Sequence, residues 1–403
     1  MDRQRFFRQF RAPVVLAYAA FVLVGLGAGV SGVLLPDQLR DYGVDKATIG
    51  LTFFASSGGF FLAGITAGPL IHRFGSRLTL SLSGGLYVAA ALYTATRPPF
   101  LAFLLAQVLI GYGTGALESV LNAYLAGLPN APTLLNRLHA FFGVGALLGP
   151  LLATWMLGFS SWTAVWLALA IAGVPLVVGF LVAYPRLAAD PAGVLGVEAG
   201  AGRRGLLSAA LREPGVLLGS ALLALYVGLE LGVGNWGFSY LVEERGQGDL
   251  IAGYTVSGYW LGLTLGRFLI SPIATRLGLS AVGMTYASLA GVGVAGVLTW
   301  MAPGAGAASA GLLLLGFFLG PIFPTTMAVM PQVIEARLVP TAMGVLNAGS
   351  VVGGAALPWL AGALAQGVGP STLLPFVLVL TGCQLAVWRS IAARVHAARP
   401  ARA

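Results

Sequence analysis

Runs of apolar residues, each about as long as a bilayer is thick and separated by short polar or basic connections, follow one another from end to end of the chain. Taking roughly 20 residues per span, we place helices at 13–35, 47–71, 78–96, 100–126, 135–157 and 162–184. Six more follow at 214–241, 249–275, 279–301, 305–331, 339–364 and 371–393. Between the two sets, 185–213 holds Pro185, Asp190, Pro191, Glu198, Arg203, Arg204 and Arg212 in an Ala/Gly-rich stretch, which reads as a cytoplasmic linker. Its segment Arg203 to Arg212 is either a short amphipathic helix on the membrane surface or a solvated charge cluster. The pattern predicts an all-α membrane protein of twelve transmembrane helices: an N-terminal six-helix half (1–184), the linker, and a C-terminal half with a cytoplasmic tail (214–403).

Composition agrees with the pattern. Of 403 residues, 58% are hydrophobic and 9% charged, against roughly 25% charged in soluble domains. The net charge of +9 does not point to nucleic acid, because the basic residues sit at helix ends and in loops. With both termini placed in the cytoplasm, seventeen arginines fall on that side, and only Arg40, Lys46, Arg97 and Arg245 fall outside. That asymmetry sets orientation. The first apolar run is too long for a signal-peptide core. Cys383, the one cysteine, excludes an intramolecular disulfide.

The halves echo one another at offsets near 205: Gly32 with Gly237, Gly111 and Gly115 with Gly316 and Gly320, Gly149 with Gly353, and Arg73-Phe74-Gly75 with Arg276-Leu277-Gly278. Near agreement on one offset suggests duplicated six-helix halves, a common transporter plan. After the second span comes Gly68-Pro69-Leu70-Ile71-His72-Arg73-Phe74-Gly75-Ser76-Arg77. Here Gly75 permits a tight turn, and the arginines hold the loop on the cytoplasmic side.

This loop resembles the signature of the major facilitator superfamily, with His72 where the family pattern usually carries an acid. A narrower likeness lies in the fourth span, Gly111-Tyr112-Gly113-Thr114-Gly115-Ala116-Leu117-Glu118-Ser119-Val120-Leu121-Asn122. It is similar to the glycine-rich, Glu-then-Asn helix of the fucose:proton symporter and sodium-linked glucose carrier branch. His139-Ala140-Phe141-Phe142-Gly143, Gly228-Leu229-Glu230 with Asn235-Trp236, Pro321-Ile322-Phe323-Pro324-Thr325, and Gly353-Gly354 with Pro358 add to the likeness. The proton-coupled members have an acid just before the Leu-Pro exit of the first helix; this chain has Gly32 there.

Three charges are set deep in the spans: Glu118, Glu230 and Arg267. Each costs roughly 2.5–3.5 kcal/mol at a bilayer centre and so calls for a partner or a task. Glu118 shares a helical stripe with Gly111, Gly115 and Asn122; the glycines are expected to open space beside it, and acid plus amide suit sugar hydroxyls. A low-dielectric setting suits the acid to reversible protonation, so Glu118 is assigned to coupling as well. Its alternative is a structural bond to a neighbouring helix, Arg267 included. Glu230 either substitutes for the missing first-helix acid in ion coupling or pairs with Arg267, which is assigned a structural or gating role. Asn235 and Trp236 are candidate solute contacts, with an interfacial aromatic belt as the alternative, and Trp260 and Asn347 are reserve candidates, with helix packing as the alternative. Gly68, His72, Arg73, Gly75 and Arg77 are assigned to the loop.

The resemblance implies a secondary active transporter of a small polar solute, a hexose for preference, working by alternating access with proton or sodium coupling. A multidrug or lipid exporter and an uncoupled sugar facilitator are the alternatives. Three histidines and one cysteine form no catalytic or metal constellation in the spans, and no P-loop is present. We expect neither enzyme activity nor a cofactor or metal, but a monomer in the bacterial cytoplasmic membrane whose partners are lipid and solute.

Overall fold

The computed structural model describes residues 3–184 and 202–398. Most of the expected linker, 185–201, lies outside the described residues. Among the described residues the regular elements are all helical. The first half holds α1 (Arg3–Tyr42), α2 (Lys46–Ile49), α3 (Leu51–Ala95), α4 (Phe100–Ala126), α5 (Ala131–Leu157) and α6 (Trp162–Ala183). After α7 (Gly202–Ala210) come α8 (Pro214–Ser239), α9 (Asp249–Arg276), α10 (Ala281–Trp300), α11 (Ala305–Leu319), α12 (Ile322–Val329), α13 (Val339–Gly367) and α14 (Leu373–Ala398).

Ten segments among the described residues are long and apolar enough to cross a membrane. One of them, Lys46–Ala95, contains two expected spans and bends at Gly75, whose φ of 74° and ψ of 163° break the helix. A Cβ at Gly75 would strain this turn. The echoed Gly278 has φ of +72°. The remaining expected span is α9, less apolar because it carries Arg267 with several Gly, Ser, Thr and Tyr residues.

Two boundaries differ from expectation. α1 runs through Pro36 to Tyr42 instead of ending at the Leu-Pro step, and Asp41 in its last turn accepts from the Trp162 indole (2.6 Å) and pairs with Arg97 (2.9 Å). Those bonds hold the extra turn in place. The span expected at 305–331 is broken into α11 and α12 at Gly320-Pro321, where proline removes a backbone donor.

The chain forms two compact units, Met1–Val44 with Leu51–Val197, and Asp45–Gly50 with Glu198–Ala403. In the first, α1 packs on α5, and α3 packs on α4 and α6. In the second, α8 packs on α13, α9 on α11, and α10 on α11 and α14. The short helix α2 belongs to the second unit: Asp45 caps it by accepting from the Thr48 N–H (2.7 Å), and the Thr48 hydroxyl together with that N–H holds the Asp45 carboxyl below its usual range. Lys46 there pairs with Glu243 (2.5 Å), and its backbone N–H donates to Gln366 (3.1 Å).

Glycine explains why the helices pack so closely. Lipid offers no apolar drive for helices to associate, so small residues that let backbones touch supply the contact. A Cβ on Gly111 would stand 1.9 Å from the Ser56 carbonyl oxygen, and one on Gly59 1.9 Å from that of Val108. In the second unit Gly316 meets the Tyr259 carbonyl (2.2 Å) and Gly262 that of Leu313 (2.1 Å). The contact is therefore duplicated, at an offset of 203 on one helix (Ser56 to Tyr259) and 205 on the other (Gly111 to Gly316).

Forcing a methyl into such a contact must part the helices. Gly111→Ala and Gly316→Ala are each expected to lose about 1–3 kcal/mol. Gly64→Ala, with nothing within 4 Å of its Cβ, is expected to be neutral or slightly stabilising. Thermal unfolding of the solubilised variants checks the ordering, and equal effects at Gly64 and Gly111 would contradict it.

The α1·α5 and α8·α13 contacts have another register. Gly145 meets the Val22 carbonyl and Gly149 that of Leu26; Gly349 meets the Ser220 carbonyl and Gly353 that of Ala224. The α5-to-α13 offset is 204 (Gly145 to Gly349), but the α1-to-α8 offset is 198 (Val22 to Ser220). The expected match of Gly32 with Gly237 is thus replaced: on this register the counterpart of Gly32 is Glu230.

Candidate functional site

Each unit brings its own polar groups together inside the apolar helices. In the first, Glu118 is half-buried on α4. Among the described residues no donor or cation is bonded to its carboxylate; only its backbone carbonyl is used, accepting from Asn122 Nδ2 (2.8 Å). The expectation that Gly111 and Gly115 open space beside this acid is corrected. Both are filled by the backbone of α3, at Ser56 and Phe60.

Asn122 also holds His139 on α5, its Oδ1 lying 3.2 Å from His139 Nε2, with the Phe21 ring edge-on to the imidazole at 5.5 Å. Since an amide oxygen only accepts, Nε2 is the donor. Among the described residues, Asn122 thereby keeps one amide N–H and one oxygen lone pair free for another partner.

In the second unit Arg267 on α9 pairs with Glu230 on α8 at 3.2 Å. Of the two readings for Glu230, the geometry contains the pair. Glu230 is 7% exposed, and its backbone carbonyl accepts from the Tyr259 hydroxyl (2.9 Å). The Tyr226 hydroxyl, one turn before Glu230, lies close enough to both charges to interact with them. Among the described residues, Arg267 Nε and the Trp260 indole N–H are buried without an acceptor. Trp260 lies over Gly234, which has no side chain to obstruct it, and edge-on to Tyr259 at 5.4 Å.

The other predicted contacts are dispersed. Asn235 is buried and donates to the Leu231 carbonyl of its own helix (2.9 Å). Trp236 donates its indole N–H to the Pro358 carbonyl on α13 (2.7 Å), so its one donor is committed to helix packing. Asn347 is exposed on α13. Around the bend at Gly75, Gly68 is half-buried, His72 and Arg73 are exposed, and Arg77 is half-buried. The Arg73 guanidinium lies over the Phe74 ring at 5.3 Å.

Tyr259 was not singled out from the sequence, although it lies two helical turns before Arg267 on α9 and adjoins Trp260. Arg245 was read only as an external charge. It donates to the Tyr240 hydroxyl (2.7 Å) and to the carbonyls of Thr299, Trp300 and Ala302, so it closes the C-terminal end of α10. Among the described residues no group of three or more His, Cys, Asp or Glu could hold a metal.

Several of the known proteins similar to this chain are transporters. Bypass of stop codon protein 6 of Saccharomyces cerevisiae is 26% identical over 88% of this chain and 77% of its own length. The glucose/mannose transporter GlcP of Bacillus subtilis is 26% identical over 67% of this chain and 68% of its own. Matches to the 4-hydroxybenzoate transporter PcaK of Acinetobacter baylyi reach 38% of the chain, at 25% identity. Among solved structures, a bacterial homologue of the human lysosomal transporter Spinster superposes with a TM-score of 0.78 at 13% identity, covering 98% of this chain and 99% of that one. The transporter FucP, in an outward conformation, gives 0.64 at 17% identity over 95% and 98%; both show the fold alone. Residues 17–248, more than half of the chain, match the Major Facilitator Superfamily. The protein therefore belongs to that superfamily, as an integral membrane transporter of small molecules that resembles the fucose:proton symporter branch and is not an enzyme.

Proposed function

We propose that the protein is a secondary carrier of a hexose, residing in a bacterial cytoplasmic membrane with both termini inside, and that Glu118 couples transport to a proton. The observation that carries this is the isolation of the Glu118 carboxylate, which has no cation bonded to it among the described residues, one turn from an Asn122 amide with spare hydrogen-bonding capacity. An ionised carboxylate resists a closed, dry state by roughly 2.5–3.5 kcal/mol, about a hundredfold in population. A proton removes that resistance, and a sugar hydroxyl donated to the carboxylate compensates part of it. The sugar carrier that matches two thirds of the chain supports the same class of solute.

Glu230, neutralised by Arg267, holds no mobile ion in this scheme. That pair, together with glycine at position 32, also favours one rival, an uncoupled facilitator whose one embedded acid without a counter-ion among the described residues is Glu118. Uptake of a panel of hexoses into proteoliposomes under separate proton and sodium gradients tests both. Accumulation driven by protons alone is expected. Flux that only equilibrates supports the facilitator, and extrusion of an amphipathic cation with no hexose flux supports an exporter.

A further inference from the structure

We propose that the bend between the two arms of α3 carries a site for one anionic phospholipid. A groove of about 280 Å³ lies in the first unit, lined by Leu70, Phe74, Thr79, Leu82, Ser83 and Leu86 of α3 together with Tyr112 of α4. Its floor is the buried pair Thr79 and Ser83, while Leu82 (63% exposed) and Phe74 (38% exposed) form an open, apolar side. The groove is apolar along its length, and its Thr79 and Tyr112 hydroxyls are already bonded, to the Gly75 carbonyl and to Thr66, so it suits an acyl chain.

The bend at one end of the groove is cationic. Arg73 lies over Phe74, itself a wall of the groove, and Arg77 is two residues before Thr79. Neither arginine has an ion-pair partner among the described residues. The described carboxylates of this unit do not reach them: Asp37 and Asp41 pair with Arg40 and Arg97 at the far end of α1, and Glu118 is embedded on α4. With His72 standing in the loop, no acid of the loop itself competes for the two guanidinium groups. A phosphodiester between Arg73 and Arg77, with its chain along Leu70, Leu82 and Leu86, satisfies both charges and fills the groove.

The test is retention of added lipid by the full-length solubilised protein, read by native mass spectrometry. Phosphatidylglycerol, phosphatidylcholine and inorganic phosphate serve as probes. Phosphatidylglycerol is expected to be retained well above phosphatidylcholine, with each arginine contributing about fivefold, so Arg73→Gln/Arg77→Gln lowers retention about 25-fold. Leu82→Trp, which fills the groove from its open side, is expected to lower phosphatidylglycerol retention with both arginines intact. Equal retention of the two lipids would overturn the proposal, as would phosphatidylglycerol binding unchanged in both variants. Inorganic phosphate competing as well as the lipid would reduce the site to a headgroup contact and overturn the groove.

Discussion

Glu118→Gln protein in proteoliposomes is expected to exchange hexose across the membrane but not to accumulate it under a proton gradient. Glutamine keeps the size of the side chain and an acceptor oxygen for a sugar hydroxyl, so solute binding and exchange persist. It cannot gain or lose a proton, so the gradient has no handle. The concentration ratio should fall to one, whatever the wild-type value. Because no cation or donor is bonded to the Glu118 carboxylate among the described residues, the substitution breaks no ion pair and the fold should be retained. Concentrative uptake at the wild-type level in the variant would move the coupling elsewhere. Loss of exchange as well would make Glu118 a binding group first.

Removing the cation of the second unit should act on stability instead. Arg267→Gln leaves Glu230 buried, 7% exposed, without its counter-ion. Stranding one member of a buried pair costs about 3–5 kcal/mol, whereas replacing both by neutral groups is close to neutral. The single variant is therefore expected to unfold at a clearly lower temperature, and Glu230→Gln in the same protein to restore most of the loss. The Tyr259 hydroxyl bonds the Glu230 backbone carbonyl, so that contact survives in all three proteins. A double variant as unstable as Arg267→Gln alone would show that the pairing is not what holds Arg267 in place.

How far the sequence predicts the candidate site depends on the kind of residue. Glu118 and Glu230 stand out because charge in an apolar run is costly, a rule that needs no knowledge of neighbours. Arg267 is legible for the same reason, yet its choice between two carboxylates is not, since both lie far from it in sequence. Trp236 carries a sugar-like signature next to Asn235, but its indole is bonded to Pro358, 122 residues away. Gly111 and Gly115 suggest space in a one-dimensional reading; the backbone of α3 occupies it.

The sequence by itself determined the membrane-spanning helices, the bend at Gly75 with its twin at Gly278, and membership of a transporter superfamily. These follow from local quantities: the length of apolar runs, the freedom of a glycine to take positive φ, and short motifs. Only the tertiary structure decided the register in which helices meet, since apolar side chains facing lipid specify no partner and backbone contacts at glycine do. That register makes Glu230 the counterpart of Gly32, joins Glu230 to Arg267, and leaves Glu118 as the embedded acid without a counter-ion among the described residues.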